Sequence, residues 1–428
     1  MDAVAKERLL IDNCTVVDGL GSEAKPGRQI LIENRQIAQI TGNNANDGKI
    51  CVDASTQIMD ATGRYVMPGL IDGHCHLTFG YAAIGDAMKP GSTESAELCT
   101  LNAALNAQVV LSAGVTGISV PGGAWFADVA IRDAINAGLM KGPRVFPAGR
   151  FLSTYDTIAD PDPCWISSPE HGIGVLVNTA DEMVTEVRRQ IKQGVDLIKV
   201  GDSPWGDEQM ISLDELQAVV GEAHRRNTKV TIHARGAGST KIAAEAGVDW
   251  IMHADFAREA ELEVVARKKI PIMPSLAALE VICTEGPEIG LDQSLIDQVK
   301  RNRDLAIEML EISQRLGITL LCGTDTGNSP IMKYGKYHAL EPQLLVRYAG
   351  YTPAEAIKAA TSDNAISIGR FGSTGAVAEG YEADLLILDE NPLDDIACIE
   401  NPSNIQGVIK GGEIINRESI PSVAIQQA

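Results

Sequence analysis

The sequence predicts an α/β protein: a (β/α)8 TIM barrel carrying a small β-sandwich domain composed of its N- and C-terminal segments. Three observations predict it. The chain has 428 residues, enough for one large barrel with an attachment or for several smaller domains. Both ends carry short apolar, β-branched runs separated by turn residues and not alternating with helices. Between them, apolar runs alternate with helix-length amphipathic segments, the pattern of parallel βαβ units.

Taken in order, Leu9–Val17 and Gln29–Glu33 read as strands separated by the turn-rich stretch Gly19–Gly27. Asn34-Arg35 reads as a tight hairpin turn into Ile37–Ile40, and Asn43–Gly48 as a loop. From Tyr65 there are eight strand candidates: Tyr65–Asp72, Gly117–Val120, Arg144–Ala148, Leu197–Gly201, Val230–Ala234, Trp250–Ala254, Pro271–Pro274 and Thr319–Asp325. Helix starts are marked by Thr179-x-x-Glu182 and Ser212-x-x-Glu215, both capping boxes, and by Thr352-Pro353-x-Glu355. The rival, a doubly wound open sheet, lacks a G-x-G-x-x-G after the first strand. Near Gly375 the β pattern returns, with strands at Ala383–Leu388 and Gly407–Ile415. Each terminal β segment is too small to be stable alone. Residues 1–64 and 375–428 are therefore expected to form one composite β domain beside a barrel over 65–374.

Composition removes several function classes. A 45% hydrophobic and 22% charged chain is globular, not disordered. With 57 Asp+Glu against 36 Lys+Arg, its formal net charge is −21, which repels phosphate backbones and argues against nucleic acid as a partner. No apolar run approaches the roughly 18 residues that span a bilayer, so no membrane partner is expected. The start MDAVAKERLLIDN shows no basic stretch followed by an apolar one and reads as cytoplasmic. Eight scattered cysteines form no C-x-x-C pair and read as reduced thiols.

The chemistry concentrates at expected strand ends. His74 and His76 sit two residues apart at the end of the first barrel strand, so both rings face one side. That is the mouth at which barrel enzymes act. His233, His253 and Asp325 end three other strands. Lys199 stands inside the apolar run Leu197–Val200, where an unpaired ammonium is unfavourable; it must be paired, neutral or modified. Of the other three histidines, His224 and His338 read as surface residues, and His171 as a possible substrate contact after a Pro-rich loop.

Together, P-G-L-I-D-G-H-C-H at Pro68–His76, a strand lysine, two further strand-end histidines and a final G-T-D resemble the metal-dependent amidohydrolase superfamily. The tail from Glu379 to Leu386, with Asn391-Pro392-Leu393 after it, resembles that family's C-terminal β segment. The order of ligands, the I-K-V strand and the His-Ala-x-Gly turn at His233 are similar to its prolidase-like and ochratoxinase-like branch, which hydrolyses dipeptides and N-acyl amino acids. The resemblance implies two divalent metal ions, usually Zn2+. His74, His76 and Asp325 would hold one and His233 and His253 the other, with a carboxylated Lys199 as the bridging ligand. It also implies a homo-oligomer.

A metal lowers the pKa of its bound water from about 15.7 to about 7, which supplies hydroxide at neutral pH. The chain has no G-x-S-x-G elbow, H-E-x-x-H helix or P-loop to offer a competing chemistry. Asp325 is then the expected catalytic proton carrier. Arg235, in His233-Ala234-Arg235-Gly236, suits a substrate carboxylate, and His171 a scissile carbonyl. Tyr155 and Trp165 lie in the 151–175 segment, read as a lid or an oligomer contact. The expected reaction is release of a C-terminal amino acid from a dipeptide or N-acyl conjugate such as ochratoxin A. Alternatives are a cyclic-amide hydrolase of the imidazolonepropionase kind, which usually keeps one metal and lacks the bridging lysine, and a non-catalytic scaffold of the same fold.

Overall fold

The structure, a computed structural model, describes residues 8–42, 50–78, 94–160, 163, 165, 171–327 and 331–420. The expected loop at Asn43–Gly48 and most of 161–170 lie outside them. The N-terminal strands are β1 (Arg8–Val16), β2 (Lys25–Glu33), β3 (Gln36–Gly42), β4 (Thr56–Asp60) and β5 (Tyr65–Pro68). The Asn34-Arg35 turn joins β2 to β3, with Asn34 at φ 58°. The strand expected over Tyr65–Asp72 is two strands. It breaks at Gly69, where a Cβ would stand 2.3 Å from the Thr116 side chain. Tyr65–Pro68 joins the terminal strands, and β6 (Leu70–Asp72) turns inward toward the site.

Parallel strands and helices then alternate: α1 (Ala96–Ser112), β7 (Val115–Val120), α2 (Ala127–Asn136), β8 (Arg144–Pro147), β9 (Phe151–Ser153), β10 (Gly174–Leu176), α3 (Ala180–Lys192), β11 (Leu197–Gly201), α4 (Leu213–Arg225), β12 (Lys229–Ala234), α5 (Ala237–Ala246), β13 (Trp250–His253), α6 (Glu259–Lys268), β14 (Ile272–Met273), α7 (Leu276–Glu285) and α8 (Gln293–Arg315). Two parallel sheets result, β6-β7-β8 and β10-β9-β11-β12-β13-β14. The Asp196 amide donates to the Pro147 carbonyl across the gap between them. Near-continuous burial along β7, β11 and β13 is what a parallel sheet covered on both faces requires.

The expected eighth strand, Thr319–Asp325, is no regular ladder. It makes isolated bridges, Leu320 to Ile272 and Thr326 to Cys75, and donates from Asp325 N to His74 O at 2.7 Å. Gly323 explains how it runs so close: a Cβ there would meet Met273 Sδ at 2.5 Å and His74 Cβ at 2.7 Å.

Of the two expected capping boxes, the one at Ser212 before α4 forms, and the helix start expected at Thr352 before α10 (Pro353–Ala359) is a capping box as well. At Thr179 the reciprocal arm differs, because the Glu182 carboxylate accepts from Asn178 N instead. Helix α9 (Leu340–Tyr348) precedes α10. The C-terminal strands are β15 (Leu385–Leu388), β16 (Ile405–Lys410) and β17 (Glu413–Ile414). The single strand expected over Gly407–Ile415 is thus a hairpin turned at Gly411-Gly412. Both ends of the chain share one sheet, ordered β17-β16-β15-β5-β1-β2-β3 with β4 beside β1. Leu9, Ile11, Val66, Leu385, Ile387 and Ile409 bury into one cluster, so neither end buries its apolar face without the other.

Candidate metal centre

The ends of β6 and of the 319–326 segment bring His74, His76 and Asp325 together. One ligand atom from each lies within 4.8 Å of the others. His74 Nε2 and His76 Nε2 are each 3.1 Å from Asp325 Oδ1 and 3.2 Å from one another. His76 Nδ1 faces the Gly122 carbonyl at 3.0 Å. A carbonyl only accepts, so Nδ1 carries a proton and Nε2 is the nitrogen turned to Asp325. His74 Nδ1 is held by Ser275 Oγ at 2.8 Å. Burial drives the His74 imidazole well below its ordinary pKa, keeping it neutral. Burial alone would raise the Asp325 carboxyl, but His74 and His76 beside it outweigh that and hold it well below the usual carboxylate range. Two imidazoles and an ionised carboxylate are a zinc-type donor set.

His253 and His233 continue the line of rings. The His253 ring centroid is 5.4 Å from that of His74 and 4.4 Å from that of His233. Here the polar atoms are short of partners. Neither ring nitrogen of His253 has a hydrogen-bond partner among the described residues, although the residue is fully buried. His233 Nε2 meets the Pro204 carbonyl at 3.2 Å. Lys199 Nζ meets only the Met252 thioether among the described residues. Burial, opposed by Asp325 and aided by Arg235, pushes that ammonium down to about 7. Buried polar groups are rarely left so, since each costs about 1–3 kcal/mol. These residues fit an electrophilic ligand. His253 at φ 75° and Asp325 at φ 58° also occupy left-handed backbone, strain of the kind found at functional sites.

The support behind the first three residues was not read from the sequence. Asp72 accepts from His74 N and Thr324 N, both at 3.0 Å, from the Thr324 hydroxyl at 2.5 Å and from His338 Nδ1 at 2.7 Å. One carboxylate thereby locks the two strand ends that carry the triad. His338 is buried, not on the surface as expected. Its Nε2 accepts from Gly335 N, which fixes the proton on Nδ1. Glu341 caps the start of α7 by accepting from Leu276 N and Ala277 N, and so steadies Ser275 under His74. Asp72 lies two residues before His74, a same-face spacing that was the available signal. Nothing local marks His338.

Arg235 follows β12 and is buried. Its guanidinium pairs with Asp255 and lies 4.9 Å from the Trp205 ring centroid, while its Nε has no partner among the described residues. His171 stands outside the buried cluster, exposed and stacked on Trp125 with centroids 3.9 Å apart. His224 is at the surface beside Asp249, as its polar context implies. Tyr155 and Trp165 are exposed.

Residues 65–415 match the model of the Amidohydrolase family. The chain belongs to this family. It is 30% identical to the ochratoxinase of Aspergillus niger over 388 residues, which cover 83% of this chain and 76% of the relative. The solved structure of that ochratoxinase superposes with TM-score 0.83 at 25% identity, covering 96% of this chain and 95% of the other. A Xaa-Pro dipeptidase with methionine bound in its active site superposes with TM-score 0.84 at 26% identity, over 96% of this chain and all of the other. An imidazolonepropionase of Deinococcus deserti is 26% identical over 211 residues, 48% of this chain and 46% of the relative. As an amidohydrolase, the protein is a hydrolase acting on C–N bonds with the TIM-barrel type of fold. No helix of the described residues is long and apolar enough to cross a membrane.

Proposed function

We propose that this amidohydrolase releases a C-terminal amino acid from dipeptides or N-acyl amino acids, with ochratoxin A, cleaved to ochratoxin alpha and phenylalanine, among its candidate substrates. The observation that carries this reading is the buried, partner-poor set of His253 nitrogens and Lys199 ammonium beside a complete His74-His76-Asp325 triad. Two divalent ions, zinc by preference, satisfy both groups. His74, His76 and Asp325 would hold one and His233 and His253 the other, and Lys199, carboxylated by CO2 with loss of its protons, would offer both an anionic oxygen donor. When bound, the ions supply a water of lowered pKa and polarise the amide carbonyl.

This chain's own residues do the rest. Asp325 stays ionised, so its carboxylate accepts the proton released in the attack and passes it to the leaving amine. Arg235 acts on His233 and His253 and is fixed by Asp255 and Trp205, and its Nε, without a partner among the described residues, would take a substrate carboxylate. His171 orients the scissile carbonyl from the surface side. We place the catalytic barrel at 65–374 and the β-sandwich domain at 1–64 plus 375–428, with Tyr65–Pro68 pairing into the terminal sheet at their junction, in a cytoplasmic homo-oligomer. The long match to ochratoxinase and the presence of Lys199 favour this reading over a cyclic-amide hydrolase, whose relative aligns with 48% of the chain.

Two measurements test it. Metal analysis is expected to find about two zinc ions per chain, as a binuclear donor set requires; about one supports the cyclic-amide reading, and none removes both. An activity screen over N-acyl amino acids and dipeptides with varied C-terminal residue is expected to show turnover that disappears when the terminal carboxylate is amidated. Equal turnover of free and amidated substrates sinks the amino-acid assignment.

A further inference from the structure

A second concentration of charge lies at the turn between β16 and β17. Lys410 and Glu413 face each other across it, and Gly411 and Gly412 turn the chain at φ 57° and 80°. Both values are the positive ones that a two-residue hairpin of this kind needs. Beside the turn is a cleft of about 180 Å3, between the terminal sheet and the ends of α1 and α2. Arg35, Lys141, Lys410 and Glu413 line it. Arg35 and Arg144 both crowd the turn, since a Cβ on Gly411 would be 3.3 Å from Arg35 Nη2 and 3.6 Å from Arg144 Nη2.

The neighbouring carboxylates are already engaged. Arg144 pairs with Glu382 at 2.8 Å and Asp384 at 2.7 Å, Arg35 reaches Glu382 at 3.5 Å, and Lys141 holds Glu413 at 2.6 Å. The Asp384 carboxylate also accepts from Gly411 N and from Thr374 Oγ1. The Lys410 ammonium is left with no hydrogen-bond or ion-pair partner among the described residues. Burial, with Arg144 next in effect, pushes its ammonium down to about 8. Asp384 offsets part of this, but its carboxylate is already paired with Arg144, and a half-buried cation beside Arg35, Lys141 and Arg144 gains from a further negative group. The cleft exceeds the roughly 30 Å3 share of a single water several-fold, so it has room for a polyatomic ion.

We propose that this cleft binds a small phosphoryl oxyanion, free phosphate or a phosphate monoester, on the Lys410 ammonium with Arg35 and Lys141 flanking it. The ion joins the terminal sheet, which supplies Lys410 and Arg35, to the α2–β8 connection, which supplies Lys141. The chain as a whole is acidic at −21 and repels anions at long range, so affinity rests on these contacts and weakens with salt.

The test titrates inorganic phosphate, and in a parallel arm glycerol phosphate, into the metal-loaded full-length protein at fixed ionic strength by calorimetry. Wild type is expected to bind, and Lys410→Gln to bind about tenfold or more weakly, the effect of losing one charge-assisted hydrogen bond. Lys410→Arg is expected to keep binding, and the exposed Lys141→Gln to weaken it in the same direction. Tighter binding of glycerol phosphate identifies a monoester as the occupant; tighter binding of inorganic phosphate identifies the free ion. The proposal is overturned if wild type binds neither probe. It is equally overturned if Lys410→Gln and Lys141→Gln both bind as wild type does, since the anion then sits elsewhere, as on the catalytic metals.

Discussion

The two sides of the histidine line differ in how well they are bonded. On the His74-His76 side each ring has its second nitrogen engaged, by Ser275 and by the Gly122 carbonyl, and Asp72 fastens the backbone beneath. On the His233-His253 side, the His253 nitrogens lack partners among the described residues and Lys199 meets a thioether. The first side is arranged by the protein alone, because its donors are oriented by hydrogen bonds made elsewhere in the fold. On the second side only His233 is hydrogen-bonded, to the Pro204 carbonyl, and the His253 nitrogens and the Lys199 ammonium are left for what binds there.

The contrast breaks most visibly at Asp325, which touches both histidines of the ordered side. Asp325→Asn is expected to retain much of the metal while losing about 10²–10⁴-fold in kcat. Metal content and turnover measured on the same preparation check this; near-normal kcat removes its proton-carrying role.

Arg235→Ala probes the unsatisfied side. It strands the Asp255 carboxylate in a fully buried place, so the expected loss is about 3–5 kcal/mol in denaturant unfolding. A loss under about 1 kcal/mol, the range of an exposed pair, would show that the pair is not structural. In the folded variant, KM is expected to rise most for substrates with a free carboxylate.

Asp128 sharpens the ordered side, since it lies under the loop that carries the Gly122 carbonyl and accepts from Gly149 N. Burial pushes its carboxyl up to about 6, against about 3.9 when unfolded. The folded state therefore binds the proton more tightly. Stability from this group is complete below about pH 4 and is lost as pH rises to about 6, by about 3 kcal/mol. Asp128→Asn is expected to flatten that part of the stability–pH curve; an unchanged slope would falsify the assignment.

The smallest expected effect is at His338, one step behind Asp72. His338→Ala should lower metal affinity or kcat about 10–100-fold. Chelator competition and kinetics together check it, and wild-type values in both would show that the Asp72 network is idle.

Much of this was legible in the chain. Alternation of apolar runs with capped helices marked the parallel layer, and the i, i+2 spacing of His74 and His76 placed two rings on one face. The misreadings share a physical origin. Tyr65–Asp72 reads as one strand because nothing local says that Gly69 is pressed against Thr116. Gly407–Ile415 did carry a signal, the Gly411-Gly412 pair, that separates two strands. His338 reads as a surface residue because its partner Asp72 lies 266 positions away.

By itself, the sequence determined which residue types are available and their local directions: histidines at strand ends, a lysine in an apolar run, caps ahead of helices. These follow from backbone periodicity and from side chains reaching near neighbours. The tertiary structure alone decided which of them share a cavity, which nitrogens are already bonded, and that the Lys410 ammonium stands among other cations with no hydrogen-bond or ion-pair partner among the described residues. Burial and long-range pairing set those outcomes, and both depend on parts of the chain that meet only when it folds.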